Sequence, residues 1–246
     1  MEHTAVRPRD LDQPNPLAMQ PYVMIGHSAY FGDYVDAIHA VGGYLRKVVH
    51  NFPADTGQPK SLDERAADLR AWAAARNHPD RHLVVQPFDQ FSPEDGDVHM
   101  LGFRSRKLVP LRDELRTRWG VEVAGLIHPA AYVSPLADIG PGVFIGAQAT
   151  VAAFVTIEEH AFINRAASVG HDCRLGAFCD IGPGACLGSG IRVGRSAAVG
   201  IGAVVKEGLT LGDGCFVAGA AMVLADVPPG TLVAGVPAVV KKLIER

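Results

Sequence analysis

A hydrophobic side chain stands at every sixth residue through the C-terminal half of the chain. From Ile127 to Val223 this position is always Ile, Val or Leu, and the series runs through seventeen hexads without a slip. The residue four places later is small in most hexads, and Gly directly follows the aliphatic residue in nine of the seventeen. A period of six is neither the 3.6 of an α-helix nor the 2 of a strand, and it indicates short strands stacked coil upon coil.

The physics of such a coil explains which residues recur. We expect one aliphatic side chain per hexad to point inward and stack on its equivalent in the next coil, since a single coil cannot bury its apolar face alone. Each is worth about 1.5–3 kcal/mol when fully buried. The small residue is expected to let the chain turn, and Gly to relieve backbone crowding at the corners.

The first half follows a different pattern, in which strand-like and helix-like segments alternate. Ser61 is expected to cap the clearest helix, with Glu64 completing a capping box. The alternation predicts a small parallel sheet with helices on its faces, a Rossmann-like α/β domain. The predicted strands are 22–26, 44–49, 82–85 and 98–103, and the predicted helices are 33–41, 61–77 and 108–119.

The predicted fold class is therefore an N-terminal α/β domain followed by an all-β parallel β-helix with a short C-terminal tail. Residues 1–20 are rich in proline and charge and read as a disordered or arm-like leader. The α/β domain is predicted for 21–125, and the β-helix with its tail for 126–246. A length of 246 residues accommodates two domains of this size.

Composition excludes some classes of function. A net charge of −3 gives no broad basic surface for nucleic acid. Nothing approaches eighteen consecutive apolar residues, so no membrane span is predicted. Because no apolar signal core precedes the fold, we expect a cytoplasmic protein whose four cysteines are thiols. Three of them occupy the small position of a hexad and are expected to pack in the core: Cys173, Cys179 and Cys215.

The hexad run, the segment IGAVVKEG at 201–208 and the segment DVPPGTLVAGVPA at 226–238 resemble the left-handed β-helix acyltransferases. The left hand is implied by this resemblance, since six-fold periodicity does not specify handedness. The family builds one triangular coil from three hexads, which implies between five and six coils here.

A narrower resemblance is carried by LIHPAA at 126–131, by Ile163-Asn164, and by VGHDC at 169–173. These motifs are similar to the nucleotide-sugar N-acetyltransferases of the sialic-acid and bacillosamine type. The resemblance implies that His171 is the catalytic base, that Asp172 is its partner, and that Asn164 contacts substrate or backbone. The resemblance also implies a structural role for His128. His160 fits no such pattern and is expected to be exposed.

Acetyl transfer explains why a His–Asp pair is useful. The attacking amine or hydroxyl loses a proton as its bond to the acetyl carbon forms. A histidine, with an unperturbed pKa near 6.5, is suited to accept that proton at working pH. A neighbouring carboxylate orients the ring and favours its charged form. No metal and no covalent acyl-enzyme are required.

The resemblance also implies how acetyl-CoA is held. In the family it lies in the groove between neighbouring β-helices of a homotrimer. By position Ile201 and Gly219 match family contacts with the cofactor. Relatives often carry a second histidine near the thioester nine residues after the base, where this chain has Asp180.

The acceptor is less clearly indicated. Relatives follow strand one with a turn of the form G-x-S/G-G-H, whose backbone N–H groups receive the nucleotide. Here Gly26 and Ser28 match that turn, while Ala29 and Tyr30 replace its Gly-His pair. Gly26, Ser28 and Tyr30 are thus candidate substrate-binding residues, with a nucleotide-linked sugar slightly favoured over another acceptor.

Three alternatives follow from these observations. An O-acetyltransferase acting on a sugar or small-metabolite hydroxyl keeps the fold and changes the acceptor. A non-catalytic trimeric scaffold has no need of the Asn164, His171 and Asp172 set. A zinc-dependent hydratase with the same β-helix needs three histidines on one metal, and the repeat, with only His128, His160 and His171, has no suitable pair of them.

Overall fold

The computed structural model describes residues 19–50, 60–103 and 108–244. The predicted leader, residues 1–20, lies outside the described residues except for its last two. The described chain divides into two compact units, one formed by 19–103 with 108–124 and the other by 125–244.

The first unit is a four-stranded parallel sheet with helices. Its strands lie in the order β3-β2-β1-β4, and every neighbouring pair is parallel. Two short 3-10 turns flank β3, at Pro79–His82 and Phe88–Gln90. The elements are β1 Gln20–Ile25, α1 Phe31–Ala40, β2 Gly43–His50, α2 Leu62–Ala74, β3 Val84–Pro87, β4 Val98–Leu101 and α3 Leu108–Trp119.

Local sequence accounts for these elements. Val23, Met24 and Ile25 in β1 are 0% exposed, as expected for a central parallel strand covered on both faces. The capping box is confirmed: Ser61 Oγ accepts the N–H of Glu64 at 3.2 Å, and Glu64 Oε2 accepts the N–H of Ser61 at 2.7 Å. The predicted strand 82–85 is wrong at its start, because Pro79 begins a 3-10 turn that occupies the chain through His82.

The second unit is a parallel β-helix of seventeen two-residue strands in three sheets. Face 1 contains β5 Leu126–Ile127, β8 Phe144–Ile145, β11 Phe162–Ile163, β14 Asp180–Ile181, β17 Ala198–Val199 and β20 Phe216–Val217. Face 2 contains β6 Tyr132–Val133, β9 Thr150–Val151, β12 Ser168–Val169, β15 Cys186–Leu187, β18 Val204–Val205 and β21 Met222–Val223. Face 3 contains β7 Asp138–Ile139, β10 Thr156–Ile157, β13 Arg174–Leu175, β16 Arg192–Val193 and β19 Thr210–Leu211.

Each strand pairs with the strand one coil away, so the coil has the predicted length of eighteen residues. Ile163, for example, lies in register with Ile145 on one side and Ile181 on the other. All three side chains are fully buried. The aliphatic position of the hexad is therefore the core of the β-helix, as predicted.

The corners are formed differently from the prediction. In fourteen consecutive hexads, from Gly142 to Ala220, the residue before the small position has φ between +54° and +74°. The small residue is thus a second inward-facing position, and the left-handed residue before it makes the turn. Eight of the fourteen are not glycine, namely Gln148, Phe154, His160, Ala166, Asp172, Phe178, Ser196 and Ala220.

The glycine that directly follows the aliphatic residue has the role predicted for it. A Cβ on Gly200 would lie 2.6 Å from the backbone N of Gly219, and one on Gly170 would lie 2.7 Å from the carbonyl of Gly188. Neighbouring coils therefore approach too closely there for an ordinary side chain.

Side-chain burial follows the register with one correction. Cys173, Cys179 and Cys215 are buried as predicted, and Cys186, which stands in an outward position, is exposed. His160 was predicted to be exposed and is instead 8% exposed. It stacks on Phe178 with ring centroids 5.3 Å apart, because residues one coil apart lie above one another at this corner.

The tail closes the β-helix after the repeat ends. Strand β22 Thr231–Ala234 pairs with β20 and aligns Val217 with Val233, sixteen residues later instead of eighteen. Strand β23 Val239–Leu243 then runs antiparallel to β22. Among the described residues, no helix combines the length and apolar character needed to cross a membrane.

Candidate active site

His171 and Asp172 form a hydrogen-bonded pair on the surface of the β-helix. They lie in the turn from β12 to β13, at the corner between faces 2 and 3. His171 Nδ1 and Asp172 Oδ2 are 2.6 Å apart. Because a carboxylate only accepts hydrogen bonds, this contact places the proton on Nδ1 and leaves Nε2 as the ring nitrogen able to take another.

The backbone fixes this turn from both sides. The N–H of Asp172 donates to the carbonyl of Ala153 in the preceding coil, and the carbonyl of His171 accepts the N–H of Gly190 in the next. Asp172 itself has φ +60°, a conformation that aspartate tolerates better than most residues. The two side chains remain 63% and 59% exposed. A hydrogen-bonded pair this exposed contributes little to stability, so its consequence is the orientation of the ring.

Asn164 occupies a different corner. It follows β11, at the corner between faces 1 and 2, so face 2 separates it from His171 in the same chain. Its side chain is 0% exposed. Oδ1 accepts the N–H of Arg165 at 2.7 Å, while Nδ2 has no hydrogen-bond partner among the described residues. The structure thus does not bring Asn164 and His171 together within one chain.

Ile201 and Gly219 share the corner of Asn164. They follow β17 and β20 and lie one coil apart, with the N–H of Ala220 donating to the carbonyl of Ile201. The side chain of Ile201 is 64% exposed. A Cβ on Gly219 would lie 3.0 Å from Ile201 Cγ2, so the glycine leaves this apolar surface uncovered. Asp180 is half-buried on face 1, paired with Phe162 and Ala198.

Gly26 directly follows β1 at the carboxyl edge of the α/β sheet. Its N–H donates to the carbonyl of Val49 at the end of β2, 2.6 Å away, and its φ is +75°. A Cβ at this position would lie 2.3 Å from the ring of Phe103. Glycine is therefore required here both by backbone conformation and by packing.

Ser28 and Tyr30 complete the turn into α1. Ser28 Oγ donates to the carbonyl of Gly102 at 3.0 Å and accepts the N–H of Tyr30 at 3.3 Å. The hydroxyl of Ser28 thus bonds once within the turn and once to the chain that follows β4. Tyr30 stands at the N-cap of α1, is half-buried, and makes no capping bond with its side chain.

A cluster of basic side chains at the same edge escaped the sequence analysis. Burial lowers the pKa of His27, and the positive charges of His50 and Arg65 lower it further. His27 follows β1, His50 ends β2, and Arg65 belongs to α2. The positions of His27 and His50 after the ends of predicted strands could have indicated this site, because ligands of open parallel sheets bind outside the carboxyl ends of the strands.

A hollow of about 300 Å³ lies elsewhere on the β-helix, on face 3. Arg174, Arg192 and Arg195 line it together with Glu158 and Asp213. His171 is not among its lining residues. The His–Asp pair, whose side chains are 63% and 59% exposed, stands on open surface.

Comparison with known proteins gives results for structure only. No family model matches the chain, and no curated protein matches it. PerB from Caulobacter crescentus, solved with CoA and GDP-perosamine, is 29% identical, with 92% of this chain and 99% of that chain covered and a TM-score of 0.69. The acetyltransferase domain of PglB from Neisseria gonorrhoeae, solved with acetyl coenzyme A, is 27% identical, with 91% and 100% covered and a TM-score of 0.71.

A third match shows how far the fold extends beyond sequence similarity. WeeI from Acinetobacter baumannii is 20% identical, with 90% of this chain and 100% of that chain covered and a TM-score of 0.68. The matches span nearly the whole chain, so both halves of the predicted architecture are confirmed in their predicted order. The predicted resemblance is confirmed too: the chain is similar to the nucleotide-sugar N-acetyltransferases of the left-handed β-helix type, and it is an acyltransferase.

Proposed function

We propose that the protein is an acetyl-CoA-dependent N-acetyltransferase that acts on the amine of a nucleotide-linked amino sugar, with His171 as general base. The observation that carries the proposal is the 2.6 Å contact between His171 Nδ1 and Asp172 Oδ2 on an exposed turn of the β-helix. PerB, which matches over nearly its full length, was solved with CoA and an amino sugar nucleotide.

The chemistry follows from the geometry of the pair. The neutral amine of the acceptor attacks the thioester carbonyl, and His171 Nε2 takes the amine proton as the C–N bond forms. Asp172 stabilises the resulting imidazolium through Nδ1. The tetrahedral intermediate then collapses, the C–S bond breaks, and the thiolate of CoA recovers the proton from His171. The histidine returns to its starting state without an acyl-enzyme.

Acetyl-CoA is proposed to lie along the corner that carries Ile201 and Gly219. The exposed side chain of Ile201 offers an apolar contact to the pantetheine arm, and the missing side chain of Gly219 keeps that contact open. We also propose that Asp180, on face 1, contacts the cofactor.

The separation of the two corners is the reason for a homotrimer in this proposal. His171 and the Ile201–Gly219 corner lie on opposite sides of face 2, so a single acetyl group does not reach both within one chain. A cyclic trimer has head-to-tail contacts that join unlike surfaces of neighbouring subunits. An acetyl group held at the cofactor corner of one subunit would then lie next to His171 of the neighbouring subunit.

Asn164 receives a positioning role. Its side chain is wholly buried and its Oδ1 holds the N–H of Arg165, which favours the backbone contact over a direct contact to substrate. We infer that it shapes the corner along which the cofactor lies.

The nucleotide is proposed to bind at the carboxyl edge of the α/β sheet. Arg65 supplies positive charge there, close to the imidazoles of His27 and His50, next to the N-terminus of α1 and the turn formed by Gly26, Ser28 and Tyr30. Helix N-termini and such edges favour phosphates. The charge fits a diphosphate and supports a nucleotide-linked acceptor.

The test is an acetyl-transfer assay with a panel of acceptors. Free thiol should appear from acetyl-CoA only with an amino sugar linked to a nucleoside diphosphate, and mass spectrometry should find the product 42 Da heavier, one acetyl replacing one hydrogen. Acetylation of the corresponding hydroxy sugars alone would identify an O-acetyltransferase. Failure to bind acetyl-CoA at all would contradict the enzyme proposal and favour a scaffold.

A further inference from the structure

Three potential metal ligands converge in the α/β unit, and none of them is among the residues assigned to acetyl transfer. One ligand atom from each of His39, His78 and Asp80 lies within 4.8 Å of the others. His39 belongs to the last turn of α1, His78 precedes the 3-10 turn Pro79–His82, and Asp80 lies within that turn. The sequence predicts that acetyl transfer needs no metal. That prediction does not concern this cluster, which takes no part in acetyl transfer.

Asp80 is the centre of the cluster. Its side chain is 0% exposed, and Oδ1 accepts the N–H of Leu45 on β2 at 2.7 Å. Oδ2 lies 2.5 Å from His39 Nε2 and 3.5 Å from His78 Nδ1. A buried carboxylate is retained only when it is paired or coordinates a metal. One oxygen is thus held by the sheet, and the other faces two imidazole nitrogens.

The second histidine also contacts Asp80, through its Nδ1. The N–H of Asp80 donates to His78 Nδ1 at 3.4 Å, and Nδ1 lies 3.5 Å from Asp80 Oδ2. The single lone pair of Nδ1 therefore makes only a long hydrogen bond, which a bond to a cation lying between Nδ1 and Oδ2 would replace.

Aromatic contacts hold both imidazole rings in place. Trp72 stacks on His39 with centroids 5.2 Å apart and planes inclined by 16°, and its edge meets His78 at 5.3 Å. The guanidinium of Arg76 covers the indole, 4.9 Å from its centroid. Rings fixed by packing lose little freedom on coordination, which is what a preorganised site requires.

We propose that His39, His78 and Asp80 form a binding site for a divalent transition metal of the zinc type. Two imidazoles and one carboxylate are a common zinc ligand set, with a fourth position left for water. Ligands at about 2.0–2.1 Å in a tetrahedron lie roughly 3.3 Å apart. The separation of His78 Nδ1 from Asp80 Oδ2 already fits, and the metal would replace the proton between His39 and Asp80 and widen that contact. The N–H of Leu45, which donates to the other oxygen of Asp80, would orient the carboxylate toward the metal.

The test uses the full-length chain after treatment with a chelator. Co²⁺ titration followed by visible absorption should show one tetrahedral site per chain, Zn²⁺ should displace the cobalt, and Mg²⁺ should not. Native mass spectrometry should count one zinc ion. Absence of such a cobalt spectrum, with no zinc retained, would mean that the cluster is an ordinary histidine–aspartate ion pair.

Variants locate the site. His39→Ala and His78→Ala should each weaken cobalt binding by more than about 10-fold, since losing a ligand costs at least as much as losing a group that only hydrogen-bonds to a ligand. His82→Ala is the matched control, because His82 is exposed and accepts a hydrogen bond from Arg81 outside the cluster. His171→Ala tests for metal held at the acetyl-transfer site and should bind as wild type does. Unchanged binding by folded His39→Ala and His78→Ala would overturn the proposal.

Discussion

The two units of this protein specify their structures in different ways. In the β-helix a residue's environment follows from its place in the hexad, and its neighbours are the residues eighteen positions away, as Ile163 pairs with Ile145 and Ile181. In the α/β unit the important contacts join residues with no fixed spacing, such as Gly26 with Val49, or His39 with Asp80. A repeat makes long-range contacts predictable, whereas an ordinary domain does not.

The largest expected effect tests the chemistry placed on the repeat. His171→Ala should lower kcat by about 10²–10⁴-fold, the usual contribution of a general base. Asp172→Asn should cost less, between about 10- and 100-fold, because the base remains and loses its orientation and charge stabilisation. Steady-state kinetics would measure both, with acetyl-CoA affinity unchanged. The matched control is Ser189→Ala, one coil further along the same corner, and full activity in His171→Ala would refute the mechanism.

The second effect tests the hexad register through thiol chemistry. Burial raises the pKa of Cys179 to about 12 and that of Cys215 to about 11. At pH 8 such a Cys179 is a thiolate in about one molecule in 10⁴, and the thiolate is the reactive form. Iodoacetamide should therefore label exposed Cys186 in the folded protein, and all four cysteines only after unfolding. Early labelling of the inward cysteines, read by peptide mass mapping, would contradict the register.

The third effect compares two glycines of a single hexad. Gly200→Ala should lower the free energy of unfolding by about 1–3 kcal/mol or more, because the new Cβ meets the backbone of the next coil at 2.6 Å. Gly202→Ala should cost about 1–2 kcal/mol, since its φ is +62° but nothing lies within 4 Å of the Cβ. Denaturant unfolding would rank the two. The reverse order would show that backbone conformation, and not crowding between coils, makes glycine necessary here.

The smallest effect concerns the α/β unit. In the folded protein the pKa of His27 is lowered by burial and by the charges of His50 and Arg65. Between this lowered pKa and the pKa near 6.5 of the unfolded chain, the unfolded chain therefore binds more protons than the folded protein. The contribution of His27 is complete above about pH 6.5 and is lost as pH falls below it. The free energy of unfolding should therefore depend slightly less on pH in His27→Gln than in the wild-type protein.

The same group links folding to the proposed acceptor. A bound diphosphate would favour protonated His27 in the cluster with His50 and Arg65, so nucleotide binding should strengthen as the pH falls toward 6. Calorimetry at two pH values would measure this in wild type and in His27→Gln. Equal pH dependence in both would remove His27 from the nucleotide site.

Particular residues show the limits of prediction from sequence. The core positions, the buried cysteines and the capping box of Ser61 were all predictable, because each depends on spacing within a repeat or a single helix turn. The left-handed conformation at Phe154 and Phe178 was not, since a bulky phenylalanine disfavours it and only the stacked coils enforce it. The burial of His160 was missed for the same reason, as the ring of Phe178 that covers it belongs to the next coil.

The sequence by itself determined the β-helix, the order of the two units, and the adjacency of His171 and Asp172, because periodicity and neighbouring positions are local properties of the chain. Only the tertiary structure decided that Asn164 and His171 occupy different corners, that His27, His50 and Arg65 gather at one sheet edge, and that His39 and His78 meet at Asp80. These arrangements depend on how separate segments pack, and packing couples residues whose spacing in the chain carries no signal.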